Sequence, residues 1–175
     1  MDINSFIAQL PGGGARPNLF RIIMPFPSFA TIGGETAKMA FLARAAMIPE
    51  SVLNTIEVPF RGRRAKIPGA RLFPNQWEVT VLNDNDFMLR NAFERWSNGI
   101  NSNDTNVGRT RIGDISVDIQ VEQLDQNENV IKTYTIKGAW PAVVSGIQLN
   151  QDQIDVIEEF TVAFAFQTWA SDTTS

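Results

Sequence analysis

The chain has 175 residues, of which 43% are hydrophobic and 19% are charged, and its formal net charge is −4. This length and composition predict one globular domain with a sizeable core rather than a disordered chain. The chain has no cysteine and no histidine, which excludes disulfides, thiol nucleophiles, Cys/His zinc sites and histidine-based triads. No apolar run approaches 18 residues and the N-terminus lacks the pattern of a signal peptide, so we expect a chain made in the cytosol with no membrane partner.

Charge is divided unevenly along the chain. Residues 1–100 carry eleven Lys/Arg and eight Asp/Glu, a net charge of +3. Residues 101–175 carry four Lys/Arg and eleven Asp/Glu, a net charge of −7. This division is typical of a subunit whose opposite faces attract each other, with a chance distribution as the alternative.

The first elements in chain order are an arm and a run of strands. Residues 1–15 are predicted to form a flexible arm, in which an apolar helical stripe precedes a glycine hinge. Alternating apolar residues predict strands at 20–24, 39–47 and 77–81, and a long extended segment at 55–67. Residues 48–53 are interpreted as a connecting loop.

The second half contains one clear helix and one clear hairpin. Capping residues at 83–86 precede Leu89, Phe93, Trp96 and Ile100, whose spacing predicts a helix at about 85–98. Strict alternation at 115–122, a turn at 126–129 and a return strand at 130–137 predict a hairpin at 114–138. A closing strand follows at 160–169.

These elements predict a mainly β fold: a small β-barrel or sandwich of about seven strands with one long helix and two long hairpins, 39–67 and 114–138. The single β domain should span 16–170, followed by a disordered tail at 171–175. The predicted core residues are Phe20, Ile22, Trp77, Val79, Phe93, Trp96, Trp140, Phe160, Val162, Phe164 and Phe166.

Long hairpins create a problem at sheet edges. Residues 55–67, if extended, would reach about 43 Å at roughly 3.3 Å per residue, whereas a compact chain of this length has a radius of gyration of about 16 Å. Such hairpins expose backbone donors and acceptors that favour pairing with another chain. A closed ring of identical subunits would remove these edges, so the sequence indicates an assembly unit.

Six segments, in order, carry a resemblance to a known family. They are Ala15-Arg-Pro-Asn-Leu-Phe20, Ala46-Met-Ile-Pro49, Ile56-Glu-Val-Pro-Phe60 leading to Lys66-Ile-Pro-Gly69, Trp77-Glu-Val-Thr-Val-Leu-Asn-Asp84, Ile136-Lys-Gly-Ala-Trp-Pro141 and the closing strand 160–169. Together they cover about residues 15–169 and resemble the tail tube proteins of contractile-tailed, T4-like bacteriophages. The Gly-rich arm and the loop at 101–111 depart from this pattern.

The resemblance implies a structural virion protein without cofactors or enzymatic activity. Its subunits would close into hexameric rings stacked head to tail, forming a hollow conduit inside a contractile sheath. The implied partners are further copies of the chain, the tail sheath protein, baseplate and tail-terminator proteins, and DNA passing through without specific binding. Related tubes occur in phage-derived injection and secretion machines, and the sequence does not separate these from a phage tail.

Two surfaces are candidates for assembly and for the channel wall. The ring–ring interface is predicted at Ile48, Pro49, Glu50, Ser51, Val52, Leu53, Arg61, Arg63 and Arg64. The lumen is predicted to be lined by Ser116, Asp118, Gln120 and Glu122, because a conduit that bound phosphates would slow DNA exit. The alternative is that this polar face meets water on the outside.

The basic cluster at 61–71 leaves three interpretations open: nucleic-acid contact, a solvated patch, or an interface with an acidic surface of another subunit. A nucleic-acid-binding β-barrel is therefore the alternative function. An enzyme using only carboxylates is a third, but Glu158 and Glu159 are adjacent in a strand and point to opposite faces.

Overall fold

Seven strands form one antiparallel sheet in the computed structural model, which describes residues 2–174. The strands are β1 (Phe20–Ile23), β2 (Ala43–Ala46), β3 (Val52–Phe60), β4 (Arg63–Leu72), β5 (Trp77–Leu82), β6 (Val117–Leu124), β7 (Val130–Val144), β8 (Glu159–Ala165) and β9 (Thr168–Ser171). The helices are α1 (Ile3–Ala8), α2 (Glu35–Leu42), α3 (Met88–Ile100) and α4 (Ile112–Ile115), with a 3₁₀ turn at Pro11–Gly13. Strands β3 and β4 form a separate two-stranded sheet.

The long strand β7 joins the two halves of the sheet. Its first half pairs with β6 and β9, and its second half pairs with β8, giving the order β1-β6-β7-β8-β5-β2. The change of partner falls beside Gly138, whose φ of 65° lies in the left-handed region that glycine adopts without steric cost. The fold is mainly β, as predicted. Its sheet is open rather than closed into a barrel, with β1 and β2 at its two ends.

The core lies between the sheet and helix α3. Phe93 is its centre: its ring centroid lies 5.2 Å from that of Phe26, 6.1 Å from Phe160 and 6.0 Å from Phe164. The indole N–H of Trp96 donates to the carbonyl of Ile115 over 2.7 Å, so burial leaves this donor satisfied. The helical spacing seen in the sequence thus corresponds to the buried face of α3.

Most of the predicted core residues are buried. Those shielded from solvent are Ile22, Trp77, Val79, Phe93, Trp96, Phe160, Val162 and Phe164, while Phe20 and Phe166 are half-buried at the margin of the same cluster. Trp140 lies outside the cluster. Its neighbours Ala139 and Pro141 are buried, so alternation turns Trp140 away from them, and it is half-buried beside Ile100.

The predicted strand at 39–47 is helical as far as Leu42, and only Ala43–Ala46 form a strand. Met39 is fully buried and anchors α2 to the core, and the alanine-rich sequence supports helix formation. Strand β2 then pairs with β5, so the predicted hairpin 39–67 is wrong.

Residues 55–67 do not form one extended segment. The chain reverses at Arg61 and Gly62, whose φ angles of 47° and 79° are those of a tight type I′ hairpin turn. The two halves pair with each other from Val52↔Leu72 to Phe60↔Arg63. The hairpin therefore spans residues 52–72, with Arg61 and Gly62 in its turn.

The other two main predictions hold with shifted boundaries. Strands β6 and β7 form the second hairpin, although its first strand begins at Val117 because Ile112–Ile115 make a helical turn. Helix α3 begins at Met88, where the carboxylate of Asp86 accepts the backbone N–H of Met88 over 3.2 Å. Asp86 is one of the predicted capping residues, but the N-cap position itself is occupied by Phe87, and the helix starts three residues later than predicted.

The two ends of the chain differ in their contacts. Residues 2–10 of the predicted arm are all exposed, and Met1 lies outside the described residues. The predicted tail at 171–175 does not hold for its first residues: Ser171 is buried at the end of β9, and Asp172 pairs with Lys132 over 2.8 Å. Ser175 lies outside the described residues. Within residues 2–174, no helix has the length and apolar character needed to cross a membrane.

Candidate assembly surfaces

The hairpin of β3 and β4 stands apart from the rest of the fold. Among the described residues its two strands pair only with each other, so both of its outer edges have no backbone partner. Only Val52 and Gly69 of the two strands are even partly shielded. An isolated two-stranded hairpin is marginally stable in water, and an exposed edge is a template for another chain.

The two faces of this hairpin differ in polarity. The register places Ile56 opposite Ile67 and Val58 opposite Ala65, and Phe60 follows on the same side. We call this the apolar face of the hairpin; Ile56 is 52% exposed and Phe60 is 64% exposed. The reverse face is polar and carries Thr55, Glu57, Arg64 and Lys66. One side of the hairpin therefore has the composition of a buried sheet surface but no covering layer within the chain.

Proline limits pairing at both edges of the hairpin. Pro59 lies in β3 and Pro68 lies in β4, and each removes one backbone donor from its strand. Proline at an edge reduces uncontrolled strand addition in a free subunit. The apolar face is consequently the larger feature that remains to be covered.

Three arginines surround the tip of the hairpin. The Arg64 guanidinium contacts the Glu57 carboxylate across 2.9 Å, and the Arg61 guanidinium lies 5.3 Å from the centre of the Phe60 ring. Within the described chain, Arg61 and Arg63 have no carboxylate partner. The tip is therefore a projecting basic point with at least two cations that no internal acid neutralises.

The segment at 48–53 is only partly the protruding loop that the sequence predicted. Pro49 is buried, the carbonyl of Glu50 accepts the Trp169 indole N–H over 3.2 Å, and Ser51 accepts a 2.6 Å hydrogen bond from Arg71. Val52 and Leu53 belong to β3. The Trp169 contact fixes the base of the hairpin to β9 of the sheet, while Ile48 stays half exposed beside a cavity of about 260 Å³.

The polar residues of β6 share one face of the sheet, as alternation requires. Asp118 and Gln120 are exposed and Glu122 is half-buried, whereas Ile119 and Val121 point into the core. Ser116 precedes the strand, and its hydroxyl donates to the carbonyl of Ile112 over 2.7 Å, so it ends helix α4.

Glu122 is neutralised in part by a neighbouring strand. The Arg21 guanidinium of β1 donates two hydrogen bonds to one Glu122 carboxylate oxygen, at 2.9 and 2.6 Å. Asp118 accepts the backbone N–H of Gly138 over 2.9 Å. The polar face is consequently less acidic than the sequence alone indicates.

The carboxylates considered for catalysis have structural partners instead. Glu158 accepts the side-chain amide of Asn83 over 3.0 Å, and Glu159 pairs with Arg44. Both residues line the groove beside the loop between β7 and β8, and each carboxylate is already engaged by a neighbouring side chain.

Two exposed apolar surfaces were not recognised in the sequence as a pair. The first is the stripe of the N-terminal arm, with Ile3, Phe6 and Ile7 of α1 and Leu10 just after it. The second lies in the loop between β7 and β8, residues 145–158, where the exposed apolar residues are Leu149, Ile154, Val156 and Ile157. Polar residues interrupt this loop without a helix or strand period, so periodicity gave no signal for it.

Similarity to known proteins covers nearly the whole chain. The family model described as "Phage tail tube protein" matches residues 15–172. The chain is 31% identical over 172 residues to the tail tube protein of Serratia phage KSP90, covering 97% of each chain. It is 28% identical over 159 residues to tail tube protein gp19 of Enterobacteria phage T4, covering 90% of this chain and 92% of that one.

Solved structures with little sequence identity share the fold. A chain from the baseplate of the anti-feeding prophage aligns with a TM-score of 0.61 at 12% identity, covering 90% of this chain and 94% of that one. A chain from the sheath–tube complex of the extracellular contractile injection system PVC aligns with a TM-score of 0.58 at 12% identity, covering 98% of both chains.

Proposed function

The chain belongs to the phage tail tube protein family, and on that premise we propose that its subunits close into hexameric rings which stack head to tail into a hollow tube. The protein is a structural subunit of a tail tube and a component of the virion. Membership of a structural family implies a non-enzymatic role.

The apolar face of the β3–β4 hairpin is the observation that carries the ring proposal. Ile56, Val58, Phe60 and Ile67 form one surface that residues 2–174 leave exposed. Exposed apolar surfaces of this kind mark protein–protein contacts. In the proposed ring, each hairpin lies against a neighbouring subunit, which covers the apolar face and leaves the polar face toward solvent.

The open sheet supports closure of the ring. Strands β1 and β2 are at opposite ends of the strand order, so each subunit offers two edges. A ring uses one edge of each subunit against the other edge of its neighbour, and the sixth contact closes it without leaving an unpaired strand. The sequence predicted that the hairpin 39–67 pairs with a neighbouring subunit. We assign this pairing instead to β2 and to the hairpin at 52–72.

Stacking of rings requires two different surfaces at opposite sides of each ring. We propose that the hairpin tip, with Arg61, Arg63 and Arg64, and its base at 48–53 supply one of them. Acidic residues of the C-terminal part of the sequence, which carries a net charge of −7 over residues 101–175, supply the facing charge. Nucleic-acid binding by the tip is less favoured, because Phe60 beside it belongs to the apolar face and Arg64 is already paired with Glu57.

We propose that Ser116, Asp118, Gln120 and Glu122 contribute to the channel wall. Their face is polar and carries the Arg21–Glu122 pair, so its charge is nearly balanced. A wall of this kind offers DNA no array of cations, and phosphates pass without the counterion release that would hold them.

The proposed partners follow from the family and from the fold. They are the tail sheath around the tube, baseplate and terminator proteins at its ends, and DNA in the lumen. Chains from a sheath–tube complex, a baseplate and a tube-terminating cap share this fold. The curated relatives at 28–31% identity are phage proteins, which favours a phage tail, with assembly in the host cytoplasm, over an injection machine.

Electron microscopy of the purified full-length protein tests this proposal. We expect hollow tubes in side view and rings with sixfold symmetry in end view. Monomers at high protein concentration, or solid filaments without a channel, would contradict it. Salt-sensitive DNA binding by the isolated subunit would instead support the nucleic-acid-binding alternative.

A further inference from the structure

The N-terminal arm presents an apolar surface that the described residues of its own chain leave largely exposed. Ile3, Phe6 and Ile7 are at least 60% exposed, and no residue of α1 is buried. The glycines that follow, at 12–14, all have positive φ angles and lie on the surface. A short helix with an uncovered apolar stripe is not stable by itself, because helices of this length depend on packing.

The loop between β7 and β8 presents a second such surface. Both of its ends are held: the backbone N–H of Ser145 donates to Thr161, and the carbonyl of Glu158 accepts the backbone N–H of Asn83, each over 2.8 Å. Between these anchors, Leu149 and Ile154 are each 79% exposed. The loop lines an open groove of about 770 Å³ together with Arg44 of β2.

These two surfaces lie at opposite ends of strand β7. The Gln126 side chain donates to the carbonyl of Gly12 over 3.0 Å, which holds the arm at the turn between β6 and β7. Strand β7 leaves this turn at Val130 and reaches the loop after Val144. Even with a right-angled bend at Gly138, the ends of a fifteen-residue strand are about 35 Å apart.

The arm is too short to cover the loop of its own subunit. From Gly12 to Ile3 it is mostly helical and reaches about 15 Å at 1.5 Å per residue. A contact between the two surfaces therefore joins different copies of the chain. Two unlike surfaces at opposite ends of one subunit make a heterologous contact, which either closes into a ring or repeats as an open array, and the open array is the contact that a stacked tube needs.

We propose that the N-terminal arm of each subunit packs its apolar stripe on the β7–β8 loop of a subunit in the adjacent ring. This inference rests on the proposed function, because it assigns a role to the arm in ring stacking. It commits to a second copy of the chain as the occupant of the loop. The glycine tether lets the arm adjust its direction while Gln126 fixes its origin.

The contact differs in physical character from the arginine contact at the hairpin tip. The loop carries Asp152 and Asp155 but no cation, and the arm carries no cation between Asp2 and Leu10. Its attraction is apolar, so kosmotropic salt should strengthen it, whereas salt screens an exposed ionic contact. A few side chains make a contact smaller than a standard interface of about 1,600 Å², so it becomes effective only when all subunits of a ring engage together.

Crosslinking in a chain without native cysteine tests the proposal. Subunits carrying Phe6→Cys are mixed with subunits carrying Leu149→Cys, assembled, and treated with a short bismaleimide. We expect a covalent dimer as the main product on a denaturing gel. The matched control replaces Leu149→Cys with Val107→Cys, which is 70% exposed in a different loop and should give at least tenfold less dimer. Phe6→Cys alone should give none.

A second variant separates this contact from ring formation. The double variant Phe6→Ser, Ile7→Ser removes the apolar stripe without changing the sheet. We expect intact rings, and tubes at least several-fold shorter than those of the wild type. The tubes should remain short in sulfate. Wild-type tubes without the Phe6–Leu149 dimer, or dimers from Phe6→Cys alone, would overturn the inference and leave the proposed function intact. A wild-type protein that forms neither rings nor tubes would instead overturn the proposed function.

Discussion

Arg95 of α3 donates a hydrogen bond to Glu35 at the start of α2, with 3.2 Å between Nη2 and Oε1. The Glu35 carboxylate is completely shielded from solvent and also accepts the backbone N–H groups of Ile32 at 2.7 Å and Gly33 at 2.9 Å. A buried charge is tolerated when it is paired and hydrogen-bonded in this way. The pair fixes the loop before α2 against the one long helix of the fold.

Glu35 should make stability depend on pH. Burial by itself raises the pKa of Glu35, but hydrogen bonds from the Ile32 N–H and the Thr31 hydroxyl outweigh it, and the pKa lies below its ordinary value of 4.5. Because the folded pKa is depressed, this stabilisation is fully present above the unfolded pKa and is lost as pH falls through the folded pKa. We expect Glu35→Gln to lower the free energy of unfolding at pH 7 by about 1–3 kcal/mol.

The pH profile distinguishes this charge effect from simple loss of packing. Below about pH 5, the free energy of unfolding of Glu35→Gln, measured with urea, should fall less steeply with decreasing pH than that of the wild type. Exposed Glu50→Gln is the matched control and should follow the wild-type profile. If the free energy of unfolding of Glu35→Gln falls with pH as steeply as that of the wild type, the carboxylate does not contribute to stability through its charge.

The apolar face of the hairpin should be essential for assembly but not for folding. Ile56→Asp places a carboxylate on that face, where contact with a neighbour would bury it without a partner. We expect the critical concentration for tube formation to rise at least tenfold, which corresponds to about 1.4 kcal/mol. Light scattering measures it, and circular dichroism should show an unchanged fold.

Thr55→Asp is the control for this experiment. Thr55 lies next to Ile56 on the polar face and is also exposed, so it receives the same charge one residue away. It should assemble at nearly the wild-type concentration. Equal loss of assembly in both variants would mean that charge anywhere on the hairpin, not its apolar face, decides the outcome.

The basic tip should contribute through its charge. Arg63→Glu reverses a cation that has no internal partner among the described residues, so the free subunit loses no ion pair. We expect slower assembly at low salt, with the difference from wild type narrowing as ionic strength rises, because exposed charges are screened beyond about 8 Å at 0.15 M. Sedimentation of tubes at several salt concentrations measures this.

Arg111→Glu provides the comparison, since Arg111 is exposed and lies before α4, away from the hairpin. An acid-to-Lys change on the facing surface should partly restore assembly of Arg63→Glu. If Arg63→Glu polymerises as readily as Arg111→Glu, the cluster is a solvated patch.

The polar face of β6 should affect DNA passage without affecting the tube. Asp118→Lys with Gln120→Lys adds cations while preserving the Arg21–Glu122 pair. Phage carrying both changes should assemble normally but eject DNA more slowly, with the delay shrinking as salt rises, because phosphates would bind the wall. A fluorescent dye that binds released DNA follows the rate. Ejection at wild-type speed would contradict the assignment of this face to the lumen.

Local pattern was sufficient where one element buries one face. Any strand with one buried face alternates in this way. In β6, the alternation places Ile119 and Val121 inside and Asp118 and Gln120 outside. The spacing of Leu89, Phe93 and Trp96 identified the buried side of α3 for the same reason. Short local segments and their order along the chain were also sufficient to indicate membership of the tail tube family.

Which strands pair and which helices pack together was decided only by the tertiary structure. Residues 55–67 alternate as one strand would, and nothing in the alternation shows that the chain reverses at Arg61 and Gly62. Residues 39–42 are helical because buried Met39 and the Glu35–Arg95 pair hold α2 against α3, contacts with residues some sixty positions away. Periodicity indicates which side of an element is buried, whereas the element that covers this side depends on contacts between distant segments. For the hairpin at 52–72, no described segment of the chain covers the apolar face.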